Sequence, residues 1–501
     1  MNLNYELMKA NWMTVTDCYS GTVSIKNGPR AMEYLPVSSR EKKEMIRLAQ
    51  GEVSLYEFRK RYAIYENLFK PTIDDVVGLM QKNPLKVAFG ARDDSESPRE
   101  VRELNIYGNL HNDGLKGLKW RLNFNQALYG RYGLLLDVAT DPEGLHPRFI
   151  ITEYPALKIL DGESGDRVEN GATALRWVLL DETGNEFIPE TKTWQLRSRL
   201  RVLALDKNGD YYQAVLDGSQ VLSDWGSFNL LEPGQNVVYP MFKGKRLKFI
   251  PFTVCNVNRL GIDNWQEPPF LDVANIAIGL YQVDSLYKKA IWNFASPTLS
   301  VANADKVDKD FFLGDAIWPR TSGEHPVTVS LLETSGAGLA EMRNAKDEMK
   351  QSLRYTSIRE LLGGAGANSS GEAITLRATS GTAAIAAIDQ TGSLALEEQL
   401  VFAAIWAGAS SQEAADRISC RSDIGYFGNA SPLNAVVSLM QHNATADNGG
   451  PLLSKKNLYS LLEKSVPNAF TSFEDNELQK LDSTCQTASE SGTGMAGDCP
   501  N

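Results

Sequence analysis

Most of what would announce an enzyme is missing from this sequence. It has four histidines, His111, His146, His325 and His442, which share no ligand spacing with one another or with nearby Cys or carboxylates. No His-x-x-x-His and no Gly-x-Ser-x-Gly occurs, so neither metal hydrolysis nor a serine nucleophile has local support. The Gly-Lys pair Gly244-Lys245 is followed by Arg246 and lacks the upstream glycine of a phosphate-cradling loop. Without that loop, the apolar run Leu134 to Asp137 reads as a buried strand ending in a turn, not as a magnesium-binding strand. Gly363 to Gly371 contains Gly-Ala-Gly, but Ser369 stands where the third glycine of a dinucleotide fingerprint belongs, and the run follows a helical pattern. These absences predict a chain that is not an enzyme, with no catalytic residue, no cofactor and no metal.

Cysteine is scarce too. Cys18, Cys255, Cys420, Cys485 and Cys499 are odd in number and form no Cys-x-x-Cys pair. That excludes a disulfide framework or structural zinc and fits a reducing compartment. No run approaches the ~18 apolar residues of a membrane-spanning helix. The first ten residues carry Glu6 and Lys9 and have no apolar core, so no signal peptide is read there and assembly in the cytoplasm is expected.

What is present is a chain of 501 residues, 43% hydrophobic, with room for about two to four folded domains. Its formal net charge is -11, which disfavours nonspecific attachment of the whole surface to phosphate. Residues 1–34 carry the breakers Gly21, Gly28 and Pro29 and read as irregular. Helices are expected over Ser39–Gln50, Ser54–Phe69, Asp74–Gln81, Val101–Leu110 and Leu115–Tyr129. From Gly133 to Val257 the pattern becomes strand-like, at Leu134–Leu136, Arg148–Ile151, Leu175–Leu179, Trp194–Leu205, Tyr211–Leu216 and Leu247–Val257. Turn signals at Asp161-Gly162, Thr183-Gly184, Asn208-Gly209 and Asp217-Gly218 suggest antiparallel hairpins. The missing βαβ rhythm argues against a doubly wound sheet.

Residues 268–407 are the most informative. A helix opens after Pro268-Pro269 and closes before Pro297, with Val273, Ala277, Leu280, Tyr287, Ile291 and Phe294 on one face. A second runs from Leu339 to Leu362, with Met342, Met349, Leu353 and Leu361 on its apolar side. Between them Ile317-Trp318-Pro319 and Val327-Thr328-Val329 read as extended. Arg343, Lys346, Lys350 and Arg354 recur at three, four and four on the second helix. They form either a solvated face or inter-subunit ion pairs with the neighbouring Asp347 and Glu348, or a basic stripe facing a DNA channel. The run 363–371 is either a plain linker or a mobile loop, and an alanine-rich helix follows, with Gly381 and Thr391-Gly392-Ser393 as candidate kinks. Beyond Ala407 weaker helices are expected at Ser411–Ile418, Pro432–Gln441 and Ser454–Lys464, then a flexible tail.

Two long helices bracketing a small β insert, then a loop and a third helix, resemble the stem, clip and tunnel loop of a tailed-phage portal protein. Further motifs are similar to an uncharacterised portal-like family of the DUF4055 type. These are Tyr65–Ile73 with Val77-Gly78, Pro268–Asp272, Pro297–Leu299, Leu332–Gly338 and Ser370–Ala373, while Asn123–Asp137 is similar to the helix and following strand found in many portals. The likeness runs from about Tyr34 to Ala407; the polar Asp305–Asp310 stretch and the C-terminal part depart from it.

The resemblance implies an α+β portal fold. An α/β wing carrying an antiparallel sheet would fill residues 1–267, the first stem helix 268–296, the clip and its flanks 297–338 and the second stem helix 339–362. The tunnel loop would be 363–371, a long wing helix 372–410, and a C-terminal helical crown with a tail 411–501. It also implies a homo-oligomeric ring of about twelve copies at a capsid vertex. The implied partners are the terminase large subunit, a head-completion or neck adaptor, and major capsid and scaffolding proteins. Double-stranded DNA would be held without sequence preference in the channel, with no membrane involved. The location would be the virion, after assembly in the host cytoplasm. Candidate channel residues are then Asn368, Ser369, Ser370, Arg343, Lys346, Lys350 and Arg354, and candidate terminase or adaptor contacts are Trp318, Arg320 and His325. Two other readings stay open: a nucleic-acid-processing enzyme whose metal site is built from distant carboxylates, and a different virion structural protein.

Overall fold

The computed structural model describes residues 3–47, 54–82, 84–90, 98–111, 113–139, 147–165, 175–217, 221–234, 237–295, 298–302, 328–332, 337–356 and 371–422. The chain divides into two compact units. One combines Met1–Gly364 with Ala383–Ser422; the other combines Ala365–Thr382 with Asp423–Asn501, and its described residues, 371–382, are helical.

The first 34 residues, expected to be irregular, form α1 (Leu3–Ser20), α2 (Thr22–Asn27) and α3 (Ala31–Tyr34). Tyr5, Trp12, Val15 and Cys18 fall on one helical face and are all buried, a spacing that the nearby breakers obscured. Gly21, at φ 89, supplies the bend between α1 and α2 that other residues adopt only with strain. In α4 (Ser39–Arg47) the cap is Ser38. Its hydroxyl accepts from the Glu41 N–H, while the Glu41 carboxylate accepts from the Ser38 N–H at 2.9 Å. The helix expected from Ser54 to Phe69 stops early, as α5 (Leu55–Tyr62), and α6 (Phe69–Met80) starts before Pro71. Pro71 lies in the first turn of α6, where a missing N–H costs no intrahelical bond.

After β1 (Lys86–Ala88) come α7 (Arg99–Tyr107) and α8 (Gly114–Tyr129). The strands that follow are β2 (Arg131–Ala139), β3 (Arg148–Pro155), β4 (Ile159–Ser164), β5 (Leu175–Asp181), β6 (Gly184–Ile188), β7 (Thr193–Arg197), β8 (Arg199–Leu205) and β9 (Tyr211–Asp217). A short helix α9 (Val221–Ser227) precedes β10 (Val237–Val238) and β11 (Phe252–Asn256). The turn from α8 into β2 explains two glycines. Gly130, at φ 75, ends the helix, its N–H donating to the Gln126 carbonyl at 2.8 Å. Gly133 leaves room for a ring, since a Cβ there would stand 2.6 Å from Phe252 Cζ.

Strands β11, β2 and β3 make a three-stranded antiparallel sheet, and β10-β9-β8-β5-β4 a five-stranded one. Asp161-Gly162 is not a turn but lies inside β4, where a side chain at Gly162 would collide with Ile262. The single strand expected over Trp194–Leu205 is two. β7 pairs only with β6 in a separate ribbon, while β8 sits between β5 and β9. The five-stranded sheet is buried on both faces. Val178, Leu180 and Leu203 join the core with β2, β11 and α8, whereas Leu179, Val202 and Ala204 pack with Tyr5 and Trp12 of α1.

The chain continues as α10 (Leu271–Ala295), β12 (Thr298–Ala302), β13 (Thr328–Leu332), α11 (Ala337–Thr356), α12 (Gly371–Ala407), α13 (Ser411–Arg417) and β14 (Ser419–Arg421). Leu396, Leu400, Ala403 and Trp406 of α12 enter the core of β2, β3 and β11. β14 pairs antiparallel with β1. The helices expected at 432–441 and 454–464 lie outside the described residues.

Candidate functional site

Helices α10 and α11 run antiparallel. Met349 of α11 reaches within 3.6 Å of where a Cβ on Gly279 would stand, and Lys346 bonds Asp284, so residue numbers rise on one helix as they fall on the other. Strands β12 and β13 continue the pair as an antiparallel ribbon, registered from Thr298↔Leu332 to Ala302↔Thr328. The motif is therefore one long hairpin of two helices tipped by two strands.

Its root is fastened by buried polar groups. The Asp284 carboxylate is 3% exposed and accepts from Lys346 Nζ, from the Ile64 N–H at 2.8 Å and, as an ion pair at 3.1 Å, from Lys288. Burial alone would raise its pKa, but these donors, Lys346 foremost, outweigh burial and hold it below the usual carboxylate range. At the next residue of α10, Ser285, Arg59 of α5 donates to the hydroxyl while it grips Glu41 with two bonds of 2.8 and 3.0 Å and reaches the Pro36 carbonyl. Burial pushes the Glu41 carboxyl up, and the Arg59 and Ser38 donors bring it below its ordinary value. Lys350 pairs with Glu66 at 2.9 Å. These charges are paired within one chain, so the arrangement fixes the geometry of the hairpin root.

The expected apolar face of α10 is buried over its first half, at Val273, Ala277 and Leu280. Tyr287 is half-buried and Ile291 exposed, and the side chain of Phe294 is not described. On α11, Leu353 is buried and Met342 and Met349 are half-buried; Leu361 lies outside the described residues. Within the chain Lys346 pairs with Asp284 and Lys350 with Glu66. Arg343 is exposed, and the Arg354 side chain is not described. Asn368, Ser369 and Ser370, and likewise Trp318, Arg320 and His325, lie outside the described residues.

Residues 269–407 match a family described as "Domain of unknown function (DUF4055)". No curated protein matches the chain. Among solved structures, the chain is similar to one from the neck of an empty GTA particle, at 12% identity and TM-score 0.38, with 84% of this chain and 98% of that one covered. It is also similar to a chain from the virion of a native gene transfer agent (GTA) particle, at 13% identity and TM-score 0.37, covering 85% and 99%. A third, from the neck of a native GTA particle, gives 13% identity and TM-score 0.35, covering 79% and 89%.

A second polar cluster escaped sequence reasoning. Lys119 of α8 is buried against Asp389 of α12 at 3.3 Å, with Asn123 donating to the same carboxylate at 2.8 Å and Ser393 accepting from the lysine. Burial lowers the Lys119 pKa and raises that of Asp389, each partly offset by the other. The available signals were Asp284 and Asp389 themselves, carboxylates set among apolar residues of their helices. Thr391 and Ser393 bond back to the carbonyls of Ala387 and Asp389 within α12. Among the described residues, no group of three or more His, Cys, Asp or Glu is placed to hold a metal, and no helix is long and apolar enough to cross a membrane.

Proposed function

We propose that this chain is a portal-type protein of a tailed phage or prophage, forming a ring through which double-stranded DNA is packaged and ejected. The observation that carries the reading is the antiparallel α10–α11 pair tipped by the β12–β13 ribbon and followed by α12, whose far end enters the core. In such a ring the chain's part is geometric. The hairpin is a stiff strut, its root fixed by Asp284, Arg59 and Glu41, and the ribbon end projects toward the packaging terminase. The ring would hold about twelve copies and later take neck adaptors in place of the motor.

The proposal narrows the channel surface. Lys346 and Lys350 hold the strut together, so Arg343 is the stronger candidate on α11 for contact with DNA. The run 363–371, with Asn368, Ser369 and Ser370, has no fixed charge and suits a loop that touches phosphates without gripping them. Trp318, Arg320 and His325 lie in the segment between β12 and β13, where a terminase or adaptor would meet the ring. The test is the particle formed by the purified chain. Closed rings with a through-channel are expected on stained grids, with no ATPase or nuclease activity; a single-chain mass at micromolar concentration across several salt conditions overturns the reading.

A further inference from the structure

Lys119 of α8 and Asp389 of α12 place an amine and a carboxyl side by side where water is excluded. The Lys119 side chain is 8% exposed and that of Asp389 0%, and Nζ stands 3.3 Å from Oδ1. Nζ also donates to the Asp389 carbonyl and, at 2.9 Å, to Ser393 Oγ, contacts that fix where the amine sits. Gly392, about one turn further along α12, permits this approach. A Cβ there would stand 2.9 Å from Lys119 Nζ.

The surroundings suit a reaction between the two groups. Burial is the largest influence on both, lowering the Lys119 pKa and raising that of Asp389, so it favours passage of the proton from ammonium to carboxylate. A neutral amine then faces a neutral acid, a nucleophile beside an electrophile. Asn123 Nδ2 donates to Asp389 Oδ1 at 2.8 Å, on the oxygen where negative charge develops when nitrogen adds to the carboxyl carbon. Asp389 Oδ2 has no hydrogen-bond partner among the described residues and is the oxygen free to leave. Lys119 and Asn123 also line a cavity of about 490 Å³, which gives a departing water somewhere to go.

We infer that Lys119 and Asp389 condense into an intramolecular amide that clasps α8 to α12. Neutral Nζ adds to Cγ of the protonated carboxyl, a proton moves from nitrogen to Oδ2, and Oδ2 leaves as water. One C–N bond forms, one C–O bond breaks, and nothing is oxidised, reduced or consumed besides the two side chains. Reactants held in this way reach effective concentrations of about 10⁵–10⁸ M, which carries a condensation that is slow between separate molecules. The clasp joins positions 270 apart in sequence, and closing so long a loop restricts the unfolded chain. It owes nothing to ring formation and stands apart from the proposed function.

The test is the intact mass of the purified full chain, denatured before measurement. The wild type is expected one water lighter than its sequence, and a digest is expected to yield a branched peptide joining the Lys119 segment to the Asp389 segment. Lys119→Arg, which keeps the positive charge but offers no attacking amine, is expected at full mass. Asn123→Ala, with an unchanged circular dichroism spectrum, is expected to link about 10²-fold more slowly after synthesis, as deleting an oxyanion donor does. The wild-type mass decides even where a variant misfolds. A wild-type chain at full sequence mass after overnight incubation overturns the inference and leaves Lys119 and Asp389 an ordinary ion pair. A lost water that maps to one peptide alone overturns it too, as does lost ammonia with the link at Asn123, or water loss that survives Lys119→Arg.

Discussion

At the scale of single residues, the buried ionisable groups decide how this protein responds to pH. Glu398 of α12 accepts a hydrogen bond from Thr253, yet burial dominates and pushes its pKa up to about 7. A raised carboxyl contributes stability that is complete below its unfolded value and lost as pH rises through about 7. Glu398→Gln keeps an acceptor for Thr253 without a charge to bury, so it should stabilise the fold at pH 8 by on the order of 1–3 kcal/mol and change little at pH 5. Paired denaturant titrations at the two pH values check this; equal shifts at both would refute it. The buried thiols behave alike, with burial raising Cys18 and Cys420 to about 12. None of this titration was readable from sequence, because burial and not residue type sets it.

At the scale of elements, Asp284 fastens α10 to α11 and to the backbone at Ile64. Replacing it by Ala strands Lys346 and the Ile64 N–H in a largely buried site, and removing one member of such a pair costs about 3–5 kcal/mol. The sign of the pH effect is opposite to that of Glu398. The Asp284 pKa is depressed when folded, so its contribution is present above the unfolded value and fades as pH falls through the lower folded one. Asp284→Asn should therefore flatten the acid limb of the stability profile, while a variant with an unchanged acid limb would assign that limb to other groups. Helix positions here were legible from proline punctuation and three- and four-residue spacing: α10, Leu271–Ala295, falls inside the expected 268–296. Boundaries were misread where a proline opened a helix, at Pro71, and where β7 and β8 divide one apolar run.

At the scale of the whole molecule, assembly and stability are linked. Self-assembly of the folded chain stabilises only the folded state, so the thermal midpoint should rise with protein concentration. Scanning calorimetry across a hundredfold range checks this, and a concentration-independent midpoint counts against self-assembly. The sequence by itself determined the absence of local catalytic motifs, the helical character of Leu271–Ala295 and Ala337–Thr356, an extended piece at β13 and the antiparallel class of the sheets, since periodicity and turn chemistry are local properties. It did not reveal β12, and the extended piece expected at Ile317–Pro319 lies outside the described residues. Tertiary structure alone decided that α1 is a core helix beneath the five-stranded sheet. It also decided that Lys346 pairs with Asp284 and Lys350 with Glu66, and that Lys119 meets Asp389 across 270 residues. Those outcomes depend on which segments become neighbours and on the low polarisability of the space between them, and no spacing along the chain encodes either.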